Sequence, residues 1–465
     1  MARLNVPKEP LRTYEGGVAK HITPEQQLRR SLMSCLLWEK TFYEDGIEIA
    51  DRIASLVPLA NPPDVALLAL KARLEMYLRH APLLVTREMA RYGSHKGFVA
   101  NTLEAIIQRP DELAEFLAIY WKDGRCPLSA QVKKGLARAF TKFDAYQLAK
   151  YNRDNDIKLR DVLFLCHAKP ETEKQGLTWK KLVEGTLEPP DTWEVALSTG
   201  ADKKTTWERL LRDGKLGGMA LLRNLRNMDN AGIDETLIFQ TLSTGPNRKI
   251  LPFRYIAAAN AVPKWEDMIE LAMLRSLQGF PKLLGHTVLL LDVSGSMENS
   301  LSLKSDITRM DAACGVAMLA REICEKVDIF TFSMALKQIP PRHGFSLRDS
   351  IIGSQGHNGT PLGLAVKSIY ASKEFRQDEY RFDWRFMPVD YRGQDLSPHR
   401  LIVITDEQSH DSVPDPQSHG YMVNIASNRN GIGYGPWTHI DGWSDSVIRY
   451  IQEMEEEIGD QRATR

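Results

Sequence analysis

HTVLLLDVSGS, residues 286–296, is an apolar run of strand length that ends on three oxygen donors, Asp292, Ser294 and Ser296. It is bounded by Gly285 and Gly295, as a buried strand between turns would be. Downstream, RMDAACGVAMLAREICEK reads as an amphipathic or buried helix, VDIFTFS as a strand and PLGLAVKSIYAS as a helix. RLIVITDE and YMVNIAS read as further strands, and SDSVIRYIQEMEEE as a closing helix. Strands alternating with helices predict a parallel, doubly wound α/β sheet covered on both faces. Residues 373–399, which mix aromatic and charged side chains, interrupt the alternation and read as a surface excursion.

In such a sheet, ligands bind beyond the carboxyl ends of the strands. Three loops leave those ends carrying oxygen donors. The first holds Asp292, Ser294 and Ser296, with Gly295 permitting the tight turn. The second is Gly359-Thr360-Pro361, and the third is Thr405-Asp406-Glu407. Two carboxylates (Asp292, Asp406) and three hydroxyls (Ser294, Ser296, Thr360) form a hard, all-oxygen set that suits Mg²⁺ or Mn²⁺ rather than zinc. DxSxS alone is short, and a Ser-rich loop after a strand is ordinarily a turn or an N-cap. What gives it weight is that all three segments occur in order at strand ends. This arrangement resembles the metal-ion-dependent adhesion site (MIDAS) of the von Willebrand factor A (vWA) family, over about residues 283–460. In that family a bound metal bridges to a ligand and does no chemistry.

Working back toward the N-terminus, residues 24–280 are helical in pattern. Thr23-Pro24 opens a helix, and Pro62-Pro63-Asp64 opens another that reads as continuous through VALLALKARLEMYLRH. A short helix from Phe98 to Ile107, then DELAEFLAIYW, SAQVKKGLARAF, DAYQLAKY and LRDVLFLC follow, with TTWERLLRDG, GGMALLRNLRNM and WEDMIELAMLRSL beyond. Short helices with short connections predict antiparallel pairs stacked in series, with no exact sequence period. Residues 168–202, rich in Pro, Thr, Gly and Glu, read as a longer insertion.

Composition narrows the function classes. No apolar run approaches the ~18 residues that span a bilayer, and MARLNVPKEPLRTYEGG has no apolar core of a signal peptide and reads as a mobile or surface-lying arm. Five cysteines without CxxC spacing argue against a disulfide framework or zinc site and favour a reducing cytoplasm. The net charge of zero conceals an asymmetry: residues 1–280 hold 41 Lys+Arg against 35 Asp+Glu, and residues 281–465 hold 19 against 25. Residues 122–169 carry 11 basic and 5 acidic side chains, and residues 203–227 carry 7 and 2. Such stretches are either solvated helix faces or a surface that holds a polyanion.

Helical repeats followed by a C-terminal vWA domain resemble the TROVE-module proteins, the Ro60 family of RNA-binding proteins and their bacterial relatives. Lys150-Tyr151, a helix, then Cys166-His167-Ala-Lys169-Pro170 looks like the family's KY…SHxKP stretch. Gly218-Met-Ala-Leu-Leu-Arg223-Asn224-Leu is close to its MALLRNL helix, and Leu251-Pro252-Phe253 resembles its HPF segment. The resemblance implies a ring of HEAT-like repeats closed by the vWA domain. It divides the chain into an N-terminal arm (1–22), an RNA-binding helical module (23–280) and a vWA domain with its MIDAS (281–465).

The resemblance also implies non-catalytic binding of small noncoding, Y-RNA-like RNA and of single-stranded or misfolded RNA ends, in RNA quality control or as an RNA-tethered adaptor to an exoribonuclease or other protein. It implies no membrane and no small-molecule substrate. Lys150 and His167 occupy the family's RNA-contacting positions. The family's Arg four residues after that Lys is Asp154 here, with Arg153 beside it to take over the contact. Charge and helical spacing add Lys133, Lys134, Arg138, Lys142 and Arg160 as phosphate contacts, and Tyr146, Tyr151, Phe140 and His167 as partners for bases. Arg223 and Asn224 read instead as holding adjacent repeats together. Two other readings compete: a protein-interaction scaffold that needs no RNA, and a metal hydrolase, which lacks a second acidic cluster.

Overall fold

A computed structural model describes residues 11–19, 23–33, 46–75, 78–198, 200, 202–244, 250, 252–278, 280, 282–301, 307–371, 396–426, 431–433, 435–442, 447, 448, 451 and 455. Among the described residues the chain opens with ten α-helices that share one hydrophobic core. They are α1 (Pro24–Met33), α2 (Gly46–Leu56), α3 (Pro62–Leu74), α4 (His80–Met89), α5 (Lys96–Ile106), α6 (Pro110–Tyr120), α7 (Ala130–Phe140), α8 (Ala145–Tyr151), α9 (Leu159–Cys166) and α10 (Glu173–Glu184). Neighbours pack in series, α3 on α5, α5 on α7 and α7 on α9, which is the stacking of a helical repeat array. Six more helices follow: α11 (Trp193–Ser198), α12 (Lys203–Arg212), α13 (Gly218–Asn230), α14 (Glu235–Thr244), α15 (Pro252–Ala261) and α16 (Glu266–Leu277).

Two sequence readings of this half are corrected. VALLALKARLEMYLRH is not one helix, because α3 ends at Leu74 and α4 begins at His80. Residues 168–202 are not an insertion, since α10 and α11 lie within them and Trp179 and Leu182 of α10 join the first core. Thr172 accepts a hydrogen bond from the Gln175 N–H and Gly185 ends α10 in the left-handed region, so polar caps and glycine punctuate a helix rather than mark a loop.

Among the described residues the α/β part forms a six-stranded sheet in the order β3-β2-β1-β4-β5-β6. Its strands are β1 (Leu283–Asp292), β2 (Cys324–Phe332), β3 (Leu336–Ile339), β4 (Arg400–Thr405), β5 (His419–Asn424) and β6 (Thr438–Asp441). Five strands are parallel, but β3 runs antiparallel to β2 at the edge, correcting the all-parallel expectation. Only residues 333–335 join β2 to β3, too few for the crossover that a parallel neighbour needs. The helices α17 (Arg309–Ile323), α18 (Gly344–Ile352) and α19 (Leu362–Tyr370) cover the sheet. The 373–399 excursion lies outside the described residues except for its end from Leu396, and so does most of the closing helix read at 444–457.

Side chains of β1 alternate between two cores, as a strand covered on both faces requires. Val288 and Leu290 meet Leu362, Val366 and Ile369 of α19. Leu289 and Leu291 join the core that runs through α17 into the second helical block. This explains why α17 is buried almost all round: the sheet lies on one side and α15 on the other. Gly315 marks the closest approach, where an added Cβ would stand 3.1 Å from the Phe253 nitrogen. At the opposite end of the array, α1 packs on β6. The array therefore begins and ends against the α/β domain, in a ring-like arrangement.

Candidate metal centre and nucleic-acid interface

Strands β1 and β4 are neighbours in the sheet, so Asp292 and Asp406 emerge side by side at its carboxyl edge. Asp292 is fully buried, and its carboxylate accepts from the Ser294 N–H at 2.9 Å and from the Thr405 hydroxyl at 2.7 Å. The Ser294 and Ser296 hydroxyl oxygens lie 3.2 Å apart. Two adjacent ligands of an octahedral cation at ~2.1 Å would be about 3.0 Å apart, so this pair fits one edge of such a shell. Thr360, 6% exposed, comes from the loop between α18 and α19, so this donor follows a helix and not, as the sequence suggested, a strand end. Its carbonyl accepts from the Ser409 hydroxyl at 3.2 Å, and the same loop meets Gly295 through a Gly295 N–H to Asn358 carbonyl bond of 3.2 Å. All five sequence-read donors are thus carried by three loops joined to one another. Burial, and then the neighbouring charge of Asp406, push the Asp292 carboxyl up to about 7. Two buried carboxylates that repel each other are what a divalent cation would relieve, so the residues fit one.

Two features of this edge were not read from the sequence. Arg309, at the start of α17, is buried and places its guanidinium 3.1 Å from the Asp406 carboxylate and 3.3 Å from the Ser296 carbonyl. One carboxylate charge is therefore already answered by the protein. Next to Asp406, Glu407 is fully buried and adopts φ 59, a left-handed conformation rare outside glycine. Its carboxylate meets Arg30 of α1 at 3.2 Å and His439 of β6 at 2.8 Å, and accepts from the Ile432 and Gly433 N–H groups at 2.8 and 3.1 Å. Burial alone would raise this carboxyl, but Arg30, then His439 and the Gly433 amide, hold it down to about 2. The loop wraps so closely that a Cβ on Gly431 would sit 2.1 Å from both Arg30 and Glu407. Residues 11–19 also lie on this loop, where Thr13 donates to the Ser409 carbonyl at 2.8 Å and the Tyr14 N–H to Gln408 at 2.7 Å. No signal in the sequence pairs Arg30 with Glu407, 377 residues apart.

The RNA candidates lie on α7, α8, α9 and the turns around them. Lys133, Lys134, Arg153 and His167 reach the surface without a carboxylate partner among the described residues. Lys150 lies 5.8 Å from the Tyr151 ring and lines a cavity of about 610 Å³ with Tyr146, Trp193 and Lys215. His167 ends α9 at φ 54 and is exposed. Asp154, expected to repel phosphate, is tied to Lys158 at 2.6 Å. Arg160 is exposed, 4.0 Å from Asp161, and after Lys158 its charge also helps lower the Asp154 carboxyl.

Other candidates are engaged elsewhere. The Lys142 amine donates to the Glu104 and Ile107 carbonyls and so closes the C-terminal end of α5. Arg138 bonds Asn101 and Glu104 at 3.1 and 3.3 Å. Phe140 is not available to a base, because it is fully buried against Trp179 with ring centroids 5.2 Å apart. Tyr151 holds the Arg109 guanidinium 4.7 Å over its ring. Asn224 is buried and bonds back to the Ala220 carbonyl at 2.8 Å within its own helix, while Arg223 is exposed and its charge acts on Arg254 of α15.

Among the described residues no helix is long and apolar enough to cross a membrane. Residues 185–278 match the family model described as the TROVE domain. Telomerase protein component 1 of Rattus norvegicus is 26% identical over 307 residues, 47% of this chain and 12% of that protein. Its counterpart from Mus musculus is 26% identical over 314 residues, 48% of this chain and 12% of that protein. The chain thus spans only a small part of the length of these relatives. The crystal structure of the Deinococcus radiodurans RO (RSR) protein superposes with a TM-score of 0.57 at 17% identity, covering 91% of this chain and 97% of the other. At that identity the likeness speaks to the fold, helical repeats followed by a mixed α/β domain.

Proposed function

We propose that this TROVE-domain chain binds small noncoding RNA and single-stranded RNA ends without catalysis, in RNA quality control or as an RNA-carrying adaptor. One observation carries the reading: the chain with the TROVE match presents Lys133, Lys134, Arg153 and His167 on one run of consecutive helices and turns, each without a carboxylate partner among the described residues. Phosphates need cations free to reach them, and each phosphate neutralised releases counterions. A protein scaffold has no need of that surplus.

At the metal centre, Asp292, Ser294, Ser296, Thr360 and Asp406 would hold Mg²⁺ or Mn²⁺, and a bound cation would supply a positive centre for an anionic group of a partner. This chain's own residues prepare that site. Thr405 and the Ser294 amide orient Asp292, while Arg309 holds Asp406. We assign the protein to the cytoplasm, with RNA and a protein, of nuclease or other type, as partners.

The test is to isolate the full chain and measure the ratio of absorbance at 260 nm to that at 280 nm before and after ribonuclease, then sequence what is released. A protein-only ratio in both samples refutes the reading. Labelled single-stranded RNA incubated with the chain and Mg²⁺ should keep its length, and shortening would refute the non-catalytic part.

A further inference from the structure

We infer that Phe164 is a base-stacking residue for unpaired RNA, set between Arg160 one turn before it and His167 one turn after. The inference rests on the RNA-binding reading above and adds the chemistry by which one nucleotide is held. Helix α9 buries Leu159, Val162, Leu163 and Cys166 against the array. What remains exposed is Arg160 and Phe164, at i and i+4 on one face of the helix, with His167 at its C-cap and the half-exposed Asp161 beside Arg160. Along the axis Arg160 lies about 6 Å and His167 about 4.5 Å from Phe164 at 1.5 Å of rise per residue. Phe164 is 60% exposed.

Single apolar residues at a surface are common, so exposure alone decides nothing. Position decides. Three aromatic residues of the helical array are markedly exposed among the described residues, Phe98, Tyr146 and Phe164. Two of them fall between 145 and 167, the segment that also carries Lys150, Arg153 and Arg160. Each has a cation four residues away on the same helix, Tyr146 with Lys150 and Phe164 with Arg160. Both helices pack on α6. An aromatic face with a cation one turn along is the combination that sequence-tolerant single-strand binding uses, the ring for the base and the cation for the phosphate. Asp161 approaches Arg160 only to 4.0 Å with both side chains about half exposed, so water screens that pair and leaves the guanidinium available. His167 can donate or accept at a base edge from the end of the helix.

The competing occupant of an exposed phenylalanine is a protein surface, which would need its apolar bulk but not its ring. The experiment separates the two. The full chain, freed of copurified RNA, is titrated against a fluorescein-labelled 12-nucleotide oligouridine and against an abasic ribose-phosphate 12-mer. Wild type is compared with Phe164→Ala, Phe164→Leu and Phe164→Tyr. Thermal melting confirms that each variant folds, as expected for an exposed position.

Phe164→Ala and Phe164→Leu should weaken oligouridine binding roughly 5- to 100-fold. Phe164→Tyr should keep it within about twofold. None should alter binding of the abasic strand, and the salt dependence should stay unchanged because no charge is removed. Wild-type affinity in Phe164→Leu, an unchanged Phe164→Ala, or an equal loss on the abasic strand overturns the stacking role while RNA binding stands. A wild-type chain that binds neither strand overturns the RNA reading and the stacking role with it.

Discussion

Replacing Arg30 by methionine would test whether the first helix is latched to the α/β domain by a buried charge. The Arg30 and Glu407 side chains are 2% and 0% exposed and 3.2 Å apart. Glu407 is held at about 2 instead of 4.5. At ~1.4 kcal/mol per decade, that corresponds to roughly 3 kcal/mol of stability at neutral pH, in line with the ~3–5 kcal/mol lost when a buried pair is broken from one side. His439 and two backbone N–H groups stay in place, so Arg30→Met alone should cost about 2 kcal/mol.

The sign with pH follows from a depressed carboxyl. The contribution is fully present above about 4.5 and is lost as pH falls toward 2. Thermal melts of wild type, Arg30→Met, Glu407→Gln and the double variant give the coupling. The double variant should be more stable than the sum of the single losses predicts by at least ~1 kcal/mol, because it leaves no uncompensated buried charge. Limited proteolysis should show residues 11–19 released in Arg30→Met, since they dock on the same loop. A cost below ~0.5 kcal/mol with strict additivity would refute the latch and place the pair among surface ion pairs.

Four further outcomes are expected. Asp292→Asn should raise the melting temperature in EDTA at pH 8, since it removes the repulsion with Asp406, and should abolish the stabilisation by Mg²⁺ seen in wild type; an unaltered Mg²⁺ response in calorimetry would reject the centre. Lys150→Glu combined with His167→Ala should weaken RNA binding at every salt concentration without lowering the melting temperature, and unchanged affinity in filter binding would misplace the RNA face. Lys142→Met should instead lower stability by about 1 kcal/mol through loss of the α5 carbonyl contacts, with RNA affinity unchanged in the same assay. Gly315→Val should disrupt the seat of Phe253 on α17 and cost about 1–3 kcal/mol in a melt, because a Cβ there would already stand 3.1 Å from the Phe253 nitrogen and 3.3 Å from its Cβ.

Much of the candidate metal centre was legible because its donors sit in local patterns. An apolar run ending in DVSGS and another ending in TDE already place Asp292 and Asp406 at strand ends, and a parallel sheet sends both ends to one edge. Arg309 was not legible, since an arginine at the first position of a helix reads as an ordinary exposed side chain until the helix is seen packed on that edge. The RNA face was legible as charge but not as geometry. Lys142 and Lys134 look alike in sequence, yet one amine closes α5 and the other stands in solvent. Phe140 and Phe164 are likewise both aromatics of a basic stretch, and only packing shows that the first is core and the second is surface.

Most of the helices, the strands β1, β2, β4 and β5, the change from helical to alternating pattern near residue 281, and the oxygen donors of three loops were readable from the sequence by itself. These follow from hydrophobic periodicity and turn chemistry, which act over a few residues. Tertiary structure alone decided that the array begins and ends on the same domain, through Arg30 with Glu407 at one end and Phe253 against Gly315 at the other. Contacts between residues tens or hundreds of positions apart leave no periodic trace in the chain. They exist only once burial has made the pairing of a charge, or the absence of a Cβ, a condition of folding.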